Sequence, residues 1–428
     1  MSIARRPAEV PRPTAADPGP AGSAYTPVEV VDIDLARPYE FRPPAAGPAP
    51  VRATPPVLAL VRLHGRPLGL VTVDGREDGT PEDLWRSVAG TARRRFPLQR
   101  AGTARATPLF PPAISVIIAT HNRPGMLRDC LESLLRVEYR DFEVIVVDND
   151  PADDSAERLV RDAYGSRVRY VREPVAGLAH AHNRGLATAR GEIAAFTDDD
   201  TLVDPGWLAA LAEGFAQGPG VGCVTGLIVP AELETAAQAD LERHGGFAKG
   251  FTPRTWSLRH PPQDPLFPFT AGRFGSGTNM AFRVSALRTL GGFDPATGTG
   301  TPARGGDDLL AFFRILTAGH TLTYQPAAIV WHRHRRTHKA LEAQVFGYGA
   351  GLGAYLTGAL ARDPRMIPAL LRRLPGGVRY AVTLTHHKAG TDSTRSRRLA
   401  RLELTGLLYG PLGYLRSRRR NRVGRHPA

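Results

Sequence analysis

The sequence predicts an α/β protein whose central part forms a mainly parallel sheet flanked by helices. Three apolar runs of strand length carry this prediction, at residues 114–119, 142–147 and 193–196. Strands that are largely apolar along their whole length are typical of parallel sheets covered on both faces. Helical periodicity follows the first two runs and precedes the third, which is the alternation of βαβ units. Ligands of such sheets bind beyond the carboxyl ends of the strands.

The other elements of this region follow in order. Apolar residues spaced from Met126 to Leu135 predict a helix after the first strand. A helix near residues 155–164 and a strand at 168–171 follow the second strand. A helix from about 177 to 189 leads into the third strand. We expect this α/β domain to occupy residues 109–336.

Two segments precede the α/β domain. Residues 1–25 are rich in proline and alanine and contain no apolar run of signal-peptide length, so we expect a disordered lead without a cleaved signal. Residues 26–108 contain strand-like runs at 57–61 and 68–73, which His-Gly and Asp-Gly turns separate and end, and a possible helix near 81–95. This pattern predicts a small β-rich accessory domain.

The net charge of +14 belongs to the last quarter of the chain. From residue 336 onward, eighteen Lys and Arg residues stand against four Asp and Glu, so the preceding part is close to neutral. A basic face for nucleic acid on the body of the protein is therefore not expected. Residues 337–428 are predicted to be helical, and their run at 343–361 is uncharged but too rich in glycine to favour a membrane span.

A shorter apolar run at 404–415, interrupted by Pro411, precedes five arginines. An apolar helix beside an arginine cluster suits an anionic membrane surface. The two cysteines, Cys130 and Cys223, cannot form a disulfide framework, and Cys130 lies in an apolar-periodic run that predicts a buried, reduced thiol. Together these features predict a cytoplasmic protein that is peripheral at the inner face of the cell membrane.

Carboxylates follow two of the predicted strands. Asp148 ends the second strand, where it can accept hydrogen bonds from a base or ribose, or cap the next helix. The triplet Asp198-Asp199-Asp200 follows the third strand. Three adjacent acids repel one another, and Mg²⁺ or Mn²⁺ would compensate this repulsion and join the carboxylates to a diphosphate. The alternative is a solvated acidic turn, although Asp204 and Pro205 already supply a cap and first residue for the following helix.

Several short segments in a fixed order resemble the family 2 glycosyltransferases with a GT-A fold. The resemblance extends over about residues 112–336. Residues 114–122, 144–148 and 196–200 are similar to the nucleotide-binding elements of that family. Residues 277–283, 291–294 and 306–309 are similar to its acceptor-side elements. The resemblance implies a GT-A domain, extended by the N-terminal and C-terminal segments in an actinobacterial-type arrangement.

The resemblance also implies roles for individual residues. Asp198 would face the ribose and Asp200 the metal. His332 is a candidate third ligand of the metal; the alternative is that His332 packs against Trp331 or binds phosphate. Asp308 would be the general base beside Asp307, which stands where the family has Glu; the alternative for both acids is capping of the next helix. The residues expected to bind the nucleotide sugar are Thr120, Asn122, Arg123, Asp148, Asn183, Arg184, Asp198, Asp199, Gly277 and Asn279.

The chemistry implied is an inverting, metal-assisted transfer of a sugar from a nucleotide-diphosphate sugar to an acceptor hydroxyl. A bound cation neutralises the charge on the leaving diphosphate, and a carboxylate accepts the proton of the attacking hydroxyl. We expect the acceptor to be a glycan or a lipid-linked molecule of the cell envelope. Residues 256–274, rich in proline and aromatic residues, are a candidate acceptor-binding flap or an ordinarily packed loop.

Two other functions are weighed against this one. A sugar-nucleotide pyrophosphorylase would carry a glycine-rich basic loop after its first strand, whereas residues 120–124 here are Thr-His-Asn-Arg-Pro. A membrane-associated scaffold that retains the fold without catalysis would not need the acids at 148, 198–200 and 307–308. No nucleic-acid partner is expected, because the basic segment lacks interleaved aromatic residues.

Overall fold

The structure is a computed structural model, and it describes residues 25–45, 47, 53–54, 56–74, 79–96, 111–373 and 394–423. Its strands are β1 (Glu29–Asp34), β2 (Val57–Leu63), β3 (Arg66–Val73), β4 (Ile114–Thr120), β5 (Phe142–Asn149), β6 (Val168–Glu173), β7 (Ile193–Asp198), β8 (Thr201–Val203), β9 (Val221–Pro230), β10 (Arg254–Trp256), β11 (Met280–Arg283) and β12 (Thr321–His332). Residues 1–24, which are all but the last residue of the predicted lead, lie outside the described residues.

The helices alternate with these strands through the centre of the chain. They are α1 (Pro81–Arg95), α2 (Pro124–Leu134), α3 (Ser155–Leu159), α4 (Leu178–Thr188), α5 (Trp207–Phe215), α6 (Ala236–His244), α7 (Val284–Thr289), α8 (Asp307–Thr317), α9 (His338–Arg362) and a C-terminal helix (Thr394–Val423). A π-helical turn, Val160–Tyr164, continues α3, so the single helix predicted near 155–164 is present with a change of winding.

The central sheet has nine strands within the described residues, in the order β10-β12-β9-β11-β7-β4-β5-β6, with β8 paired to β12. Strands β7, β4, β5 and β6 are parallel neighbours, and β11 runs antiparallel between β7 and β9. Every residue of β4 is buried, because helices cover both faces. The predicted α/β class with a mainly parallel sheet is confirmed, and so is the burial of Cys130.

The three N-terminal strands form a separate sheet, in which β2 lies between a parallel β1 and an antiparallel β3. Helix α1 begins with a capping box in which Thr80 and Asp83 satisfy each other's backbone amides, and Pro81 is its first residue. The strands and helix pack around their own apolar cluster. The extra N-terminal strands and helix are therefore present, whereas their grouping into an accessory domain over residues 26–108 stays a prediction.

Asp204 does not cap α5 as the sequence predicts. The helix begins at Trp207, and the Asp204 carboxylate accepts a hydrogen bond from the Gly206 amide at 2.9 Å in the preceding turn. Its other oxygen lies 2.6 Å from the buried Arg62 guanidinium, which also pairs with Asp32 at 2.7 Å. Asp204 therefore joins the N-terminal sheet to the central domain, because a buried arginine requires anionic partners.

The end of the described chain is a pair of closely packed helices. Cβ atoms added at Gly349 and Gly353 of α9, or at Gly406 and Gly410 of the C-terminal helix, would lie within 3.0 Å of backbone atoms of the other helix. Glycine at these positions lets the two helix backbones approach. Pro411 interrupts the apolar run without ending the helix, since the C-terminal helix continues through it. No helix within the described residues has the length and apolarity needed to cross a membrane.

Candidate active site

A cleft with a volume of about 2820 Å³ opens at the carboxyl ends of the central parallel strands. It is bounded by the ends of β4 and β7, the first turn of α8, the loop between α6 and β11, and one side of α9. A site at this edge follows from the topology, because neighbouring parallel strands end together and their loops diverge there.

The acidic triplet forms the floor of the cleft, and its first two members are fixed by hydroxyl groups. Asp198 Oδ2 accepts a hydrogen bond from Thr278 Oγ1 at 2.7 Å. Asp199 Oδ2 accepts one from Thr120 Oγ1 at 2.8 Å, and its Oδ1 lies 3.3 Å from Arg123 Nη1. Since Thr120 is the last residue of β4, the two central strands hold the triplet from below.

Asp200 is buried and is surrounded by nitrogen atoms. Its Oδ2 lies 3.4 Å from Arg123 Nη1 and 3.5 Å from Arg335 Nη2. Its Oδ1 faces His332 Nε2 at 3.4 Å and has no hydrogen-bond partner among the described residues. An unpaired, buried carboxylate oxygen is costly, so this oxygen is a candidate ligand for a cation.

The electrostatics of the triplet follow from burial. Burial, with the charge of Asp200 as the next cause, raises the pKa of Asp198 to about 7 and that of Asp199 to about 6. Burial lowers the pKa of His332 to about 4, so its imidazole is neutral near pH 7. Three closely spaced carboxylates beside a neutral imidazole hold excess negative charge when all three acids are ionised.

The residues around Asp200 fit a divalent cation. A carboxylate oxygen and a neutral imidazole nitrogen are both metal donors, and imidazole favours Mn²⁺ over Mg²⁺. Within the described residues no group of three His, Cys, Asp or Glu side chains is arranged to enclose an ion. Two protein donors leave positions for phosphate oxygens and water, which is typical of Mg²⁺ sites that bind phosphorylated substrates.

A second pair of acids lies at the start of α8 and also lines the cleft. Gly306, in the left-handed region at φ 86°, precedes the helix. Asp307 is buried, with Oδ2 3.2 Å from His182 Nδ1. Asp308 is half-buried; its Oδ2 accepts from the Gly277 amide at 2.7 Å and its Oδ1 from the Leu309 amide at 2.8 Å. Burial, followed by the charge of Asp307, raises the pKa of Asp308 to about 6.

Residues 115–291 match the family model described as glycosyl transferase family 2. The chain carries a family 2 glycosyltransferase domain. It is 29% identical to the pre-mycofactocin glycosyltransferase of Mycobacterium tuberculosis over 241 residues, which is 55% of this chain and 46% of the relative. It is 25% identical to the poly-beta-1,6-N-acetyl-D-glucosamine synthase of Staphylococcus epidermidis over 228 residues, 51% of this chain and 49% of the relative. The chain thus spans about half the length of these curated relatives.

Among solved structures, the mannosyltransferase PcManGT from Pyrobaculum calidifontis, in complex with GDP-Man and Mn²⁺, is similar to this chain at 21% identity. The superposition covers 74% of this chain and 89% of that one, with a TM-score of 0.45.

The glycosyltransferase domain brings most of the predicted site residues to one cleft. Those lining it are Thr120, Arg123, Asp198, Asp199, Asp200, Gly277, Asp307, Asp308 and His332. Asp148 lies at the end of β5 and is buried; its Oδ2 accepts from Tyr170 Oη at 2.8 Å, whereas its Oδ1 has no partner among the described residues. Burial raises the pKa of Asp148.

Asp148 does not line the cleft, and neither do four other predicted residues. Asn279 is fully buried, and its side chain bonds Leu227 O, Ala328 O and Trp207 Nε1, all at 2.9 Å. Asn183 pairs with the backbone of Phe293. Asn122 is exposed and accepts from the Ala152 amide, and Arg184 is exposed on α4. The contacts of Asn279 and Asn183 support the sheet and its loops, so a nucleotide contact by these two side chains would require them to leave their present partners.

The sequence did not indicate Thr278, which lies beside Gly277 and holds Asp198. The signal that could have identified Thr278 is its position inside the segment 277–283, which resembles an acceptor-side element of the family. The predicted flap divides into two parts: Phe267 and Phe274 are buried in the core, whereas Trp256, Asp264 and Arg273 line the cleft. Ordinary packing accounts for the first group, and acceptor binding by the second group stays a prediction.

Proposed function

We propose that this chain is an inverting glycosyltransferase that moves a sugar from a nucleotide-diphosphate sugar to an acceptor hydroxyl with the help of Mn²⁺ or Mg²⁺. One observation carries the proposal. Adjacent residues hold carboxylates from the two halves of the cleft: the Gly277 amide bonds Asp308, and the Thr278 hydroxyl bonds Asp198, each at 2.7 Å. The donor-side triplet and the acid at α8 are thus both bonded by the same short segment.

On the donor side, Asp200 and His332 would hold the cation, which when bound neutralises charge on the diphosphate. Arg123 and Arg335, which lie 3.4 and 3.5 Å from Asp200, are placed to bind the phosphate oxygens as these arrive. We assign Asp198 to the ribose, because Thr278 orients its carboxylate. The partly exposed guanidinium groups would then exchange a carboxylate partner for a phosphate.

On the acceptor side, Asp308 would accept the proton of the attacking hydroxyl. Two backbone amides fix its orientation, and it is more open to the cleft than the buried Asp307. In this arrangement the carboxylate deprotonates the acceptor and forms no covalent bond to the sugar. The acceptor oxygen is therefore expected to displace the diphosphate directly. Direct displacement from the side opposite the diphosphate inverts the anomeric carbon.

We also propose that the acceptor belongs to a polysaccharide, glycolipid or cell-envelope glycan, and that the protein binds the inner face of the membrane peripherally. Four leucines on the C-terminal helix, Leu404, Leu408, Leu412 and Leu415, are exposed. Exposed arginines at 416, 418, 419 and 420 follow them. An apolar stripe next to cationic side chains complements an anionic lipid surface.

The proposal is tested with a panel of nucleotide sugars, each with Mn²⁺ or Mg²⁺. The donor should raise the melting temperature of the protein in a metal-dependent manner, because it binds only the folded state. Asp200→Ala should remove the dependence on metal, whereas the surface variant Asp162→Ala should retain it. The product's anomeric configuration, measured by NMR, should be opposite to that of the donor. Retained configuration, or no nucleotide sugar that stabilises the wild type, would contradict the proposal.

A further inference from the structure

Three side chains outside the acidic triplet form a continuous hydrogen-bonded row that ends at Asp200. Glu242 Oε1 on α6 lies 2.8 Å from His334 Nε2, and His334 Nδ1 lies 2.8 Å from His332 Nδ1. The remaining ring nitrogen, His332 Nε2, faces Asp200 Oδ1 at 3.4 Å. Both imidazoles are buried, and Phe247 packs on them with ring centroids 4.9 and 5.7 Å away.

The direction of each hydrogen bond follows from the glutamate. A carboxylate only accepts, so His334 Nε2 carries the hydrogen that Glu242 receives. A neutral imidazole has one donor and one acceptor nitrogen, so His334 Nδ1 accepts and His332 Nδ1 donates. His332 Nε2 is then left with a lone pair. It faces a carboxylate oxygen that is also an acceptor and has no hydrogen-bond partner among the described residues.

A doubly protonated His334 would reverse the second bond and place a hydrogen on His332 Nε2, pointing at Asp200. The 3.4 Å separation from Asp200 Oδ1 exceeds the usual N–H···O range. Two facing acceptors, by contrast, need a cation between them. The first arrangement therefore agrees better with the geometry around Asp200.

We propose that Glu242 and His334 are positioning residues that hold His332 in the tautomer whose Nε2 faces a divalent cation bound at Asp200. The inference rests on the proposed function, because that function supplies the cation. Groups that hydrogen-bond a ligating histidine fix its ring and raise its basicity as a donor, and losing one typically weakens metal binding about 10- to 100-fold. Glu242 and His334 lie outside the short segments that resemble the family's nucleotide-binding and acceptor-side elements.

The backbone around Glu242 accommodates its carboxylate closely. Gly246 has φ 50°, and a Cβ atom added there would lie 2.9 Å from Glu242 Oε2. Glycine at this position lets the chain turn beside the carboxylate without a clash. The turn also leads directly into Phe247, which covers the two imidazoles.

The first test measures Mn²⁺ affinity of the full chain by the electron paramagnetic resonance signal of the free ion. Glu242→Ala removes the acceptor and should raise the Kd by about 10- to 100-fold. Glu242→Gln keeps an acceptor oxygen and should recover part of the loss. Glu234→Gln is the matched control, since Glu234 is an exposed glutamate paired with Arg336, and its Kd should equal the wild-type value. A Glu242→Ala Kd within twofold of the wild type overturns the inference.

The second test reads the tautomer directly from the ¹⁵N shifts of the histidine rings in metal-free protein. The wild type should carry the hydrogen on His332 Nδ1, and Glu242→Ala should shift it toward Nε2. A hydrogen on Nε2 in the wild type overturns the inference, and this result does not depend on whether any variant folds. A wild type that binds no Mn²⁺ contradicts the proposed function instead, so the two failures are distinguishable.

Discussion

The backbone amide of Gly277 donates to Oδ2 of Asp308 at 2.7 Å and joins the loop before β11 to the first turn of α8. The Leu309 amide holds the other carboxylate oxygen at 2.8 Å. Two fixed donors orient Asp308 before any substrate arrives, and such preorganisation favours a catalytic group. The neighbouring Asp307 turns instead toward His182, at 3.2 Å.

Asp308→Asn should therefore lower the turnover number by about 10²- to 10⁴-fold, the usual contribution of a general base. Donor binding should persist, because asparagine keeps an oxygen for the Gly277 amide. Initial rates with saturating donor and acceptor, together with donor affinity by calorimetry, measure both quantities. Asp307→Asn is the comparison, and a larger loss there with a near-normal rate for Asp308→Asn would move the base to Asp307.

The same acid sets the expected dependence on pH. Burial and Asp307 raise the pKa of Asp308 to about 6, and a base acts only when deprotonated. The rate should rise as pH increases through about 6 and level off above about 7. A rate that falls over this interval in the wild type would indicate that the titrating group acts as an acid.

We expect the buried carboxylate of Asp198 to destabilise the ligand-free protein at neutral pH. Burial raises its pKa to about 7 in the folded state, from about 3.9 in an unfolded chain. Between these values the folded state retains a proton that the unfolded state loses, so stability falls as pH rises from about 4 to about 7.

Asp198→Asn should consequently melt at a higher temperature than the wild type at pH 7.5, with a smaller difference at pH 5. Asparagine removes the charge and retains an acceptor for Thr278, while the proposed ribose contact is lost and transfer falls. Asp153→Asn is the control of opposite sign, because hydrogen bonds from the side chain and then the backbone amide of Ser155 lower the pKa of Asp153. Equal melting curves for Asp198→Asn and the wild type at both pH values would argue against a buried charge at this position.

Much of this arrangement follows from sequence because its causes are local. The strand β4 is predicted from a largely apolar run of strand length, and α2 from the helical spacing of its apolar residues. Carboxylates after strand ends must gather at one edge of a parallel sheet, which is why the triplet is found without coordinates. These features need only short stretches of chain and the rule that parallel strands share an edge.

The remaining features depend on contacts between distant segments. Thr278 and Asp198 are eighty residues apart, and no local pattern joins them. Asn279 belongs to the same short motif as Gly277, yet it points into the sheet, because a buried tryptophan and two strand carbonyls provide its partners. The row from Glu242 to His332 likewise requires α6 to pack beside the end of β12. Residue type and spacing do not specify which side a motif residue faces.

The packing of α9 behind the proposed base gives a further prediction. A Cβ atom added at Gly351 would lie 2.8 Å from Gly306 N and 2.9 Å from Gly305 C, so the backbone would have to move. Gly306 precedes Asp307 and Asp308, and a displacement of about 1 Å at a reacting group costs up to about 10²-fold in rate. Gly351→Ala should lower both the turnover number and the stability, the latter by about 1–3 kcal/mol.

Gly347→Ala is the matched control on the same helix. Its added Cβ would lie 3.5 Å from Arg304 O, which is ordinary contact, and alanine favours a helix. Turnover and chemical denaturation of the two variants are measured together. Equal turnover for both would mean that α9 does not constrain the first turn of α8.

The apolar stripe of the C-terminal helix predicts binding to anionic vesicles. Leu408 is 76% exposed and Leu404 57%, and each leucine transferred from water to lipid contributes about 1.5–3 kcal/mol. Leu404→Glu with Leu408→Glu should therefore weaken binding to phosphatidylglycerol vesicles by more than about tenfold. Leu258→Glu, at an exposed leucine of the glycosyltransferase domain, should bind as the wild type does.

Salt and lipid composition separate the two contributions to this binding. Raising the ionic strength screens the arginines and should weaken binding without abolishing it, since the leucines do not depend on charge. Vesicles of phosphatidylcholine alone should bind weakly for the same reason, and an oligonucleotide should not compete. Wild-type affinity in the double variant would place the membrane contact elsewhere, and stronger binding to the oligonucleotide than to vesicles would mean that the exposed arginines serve a nucleic acid.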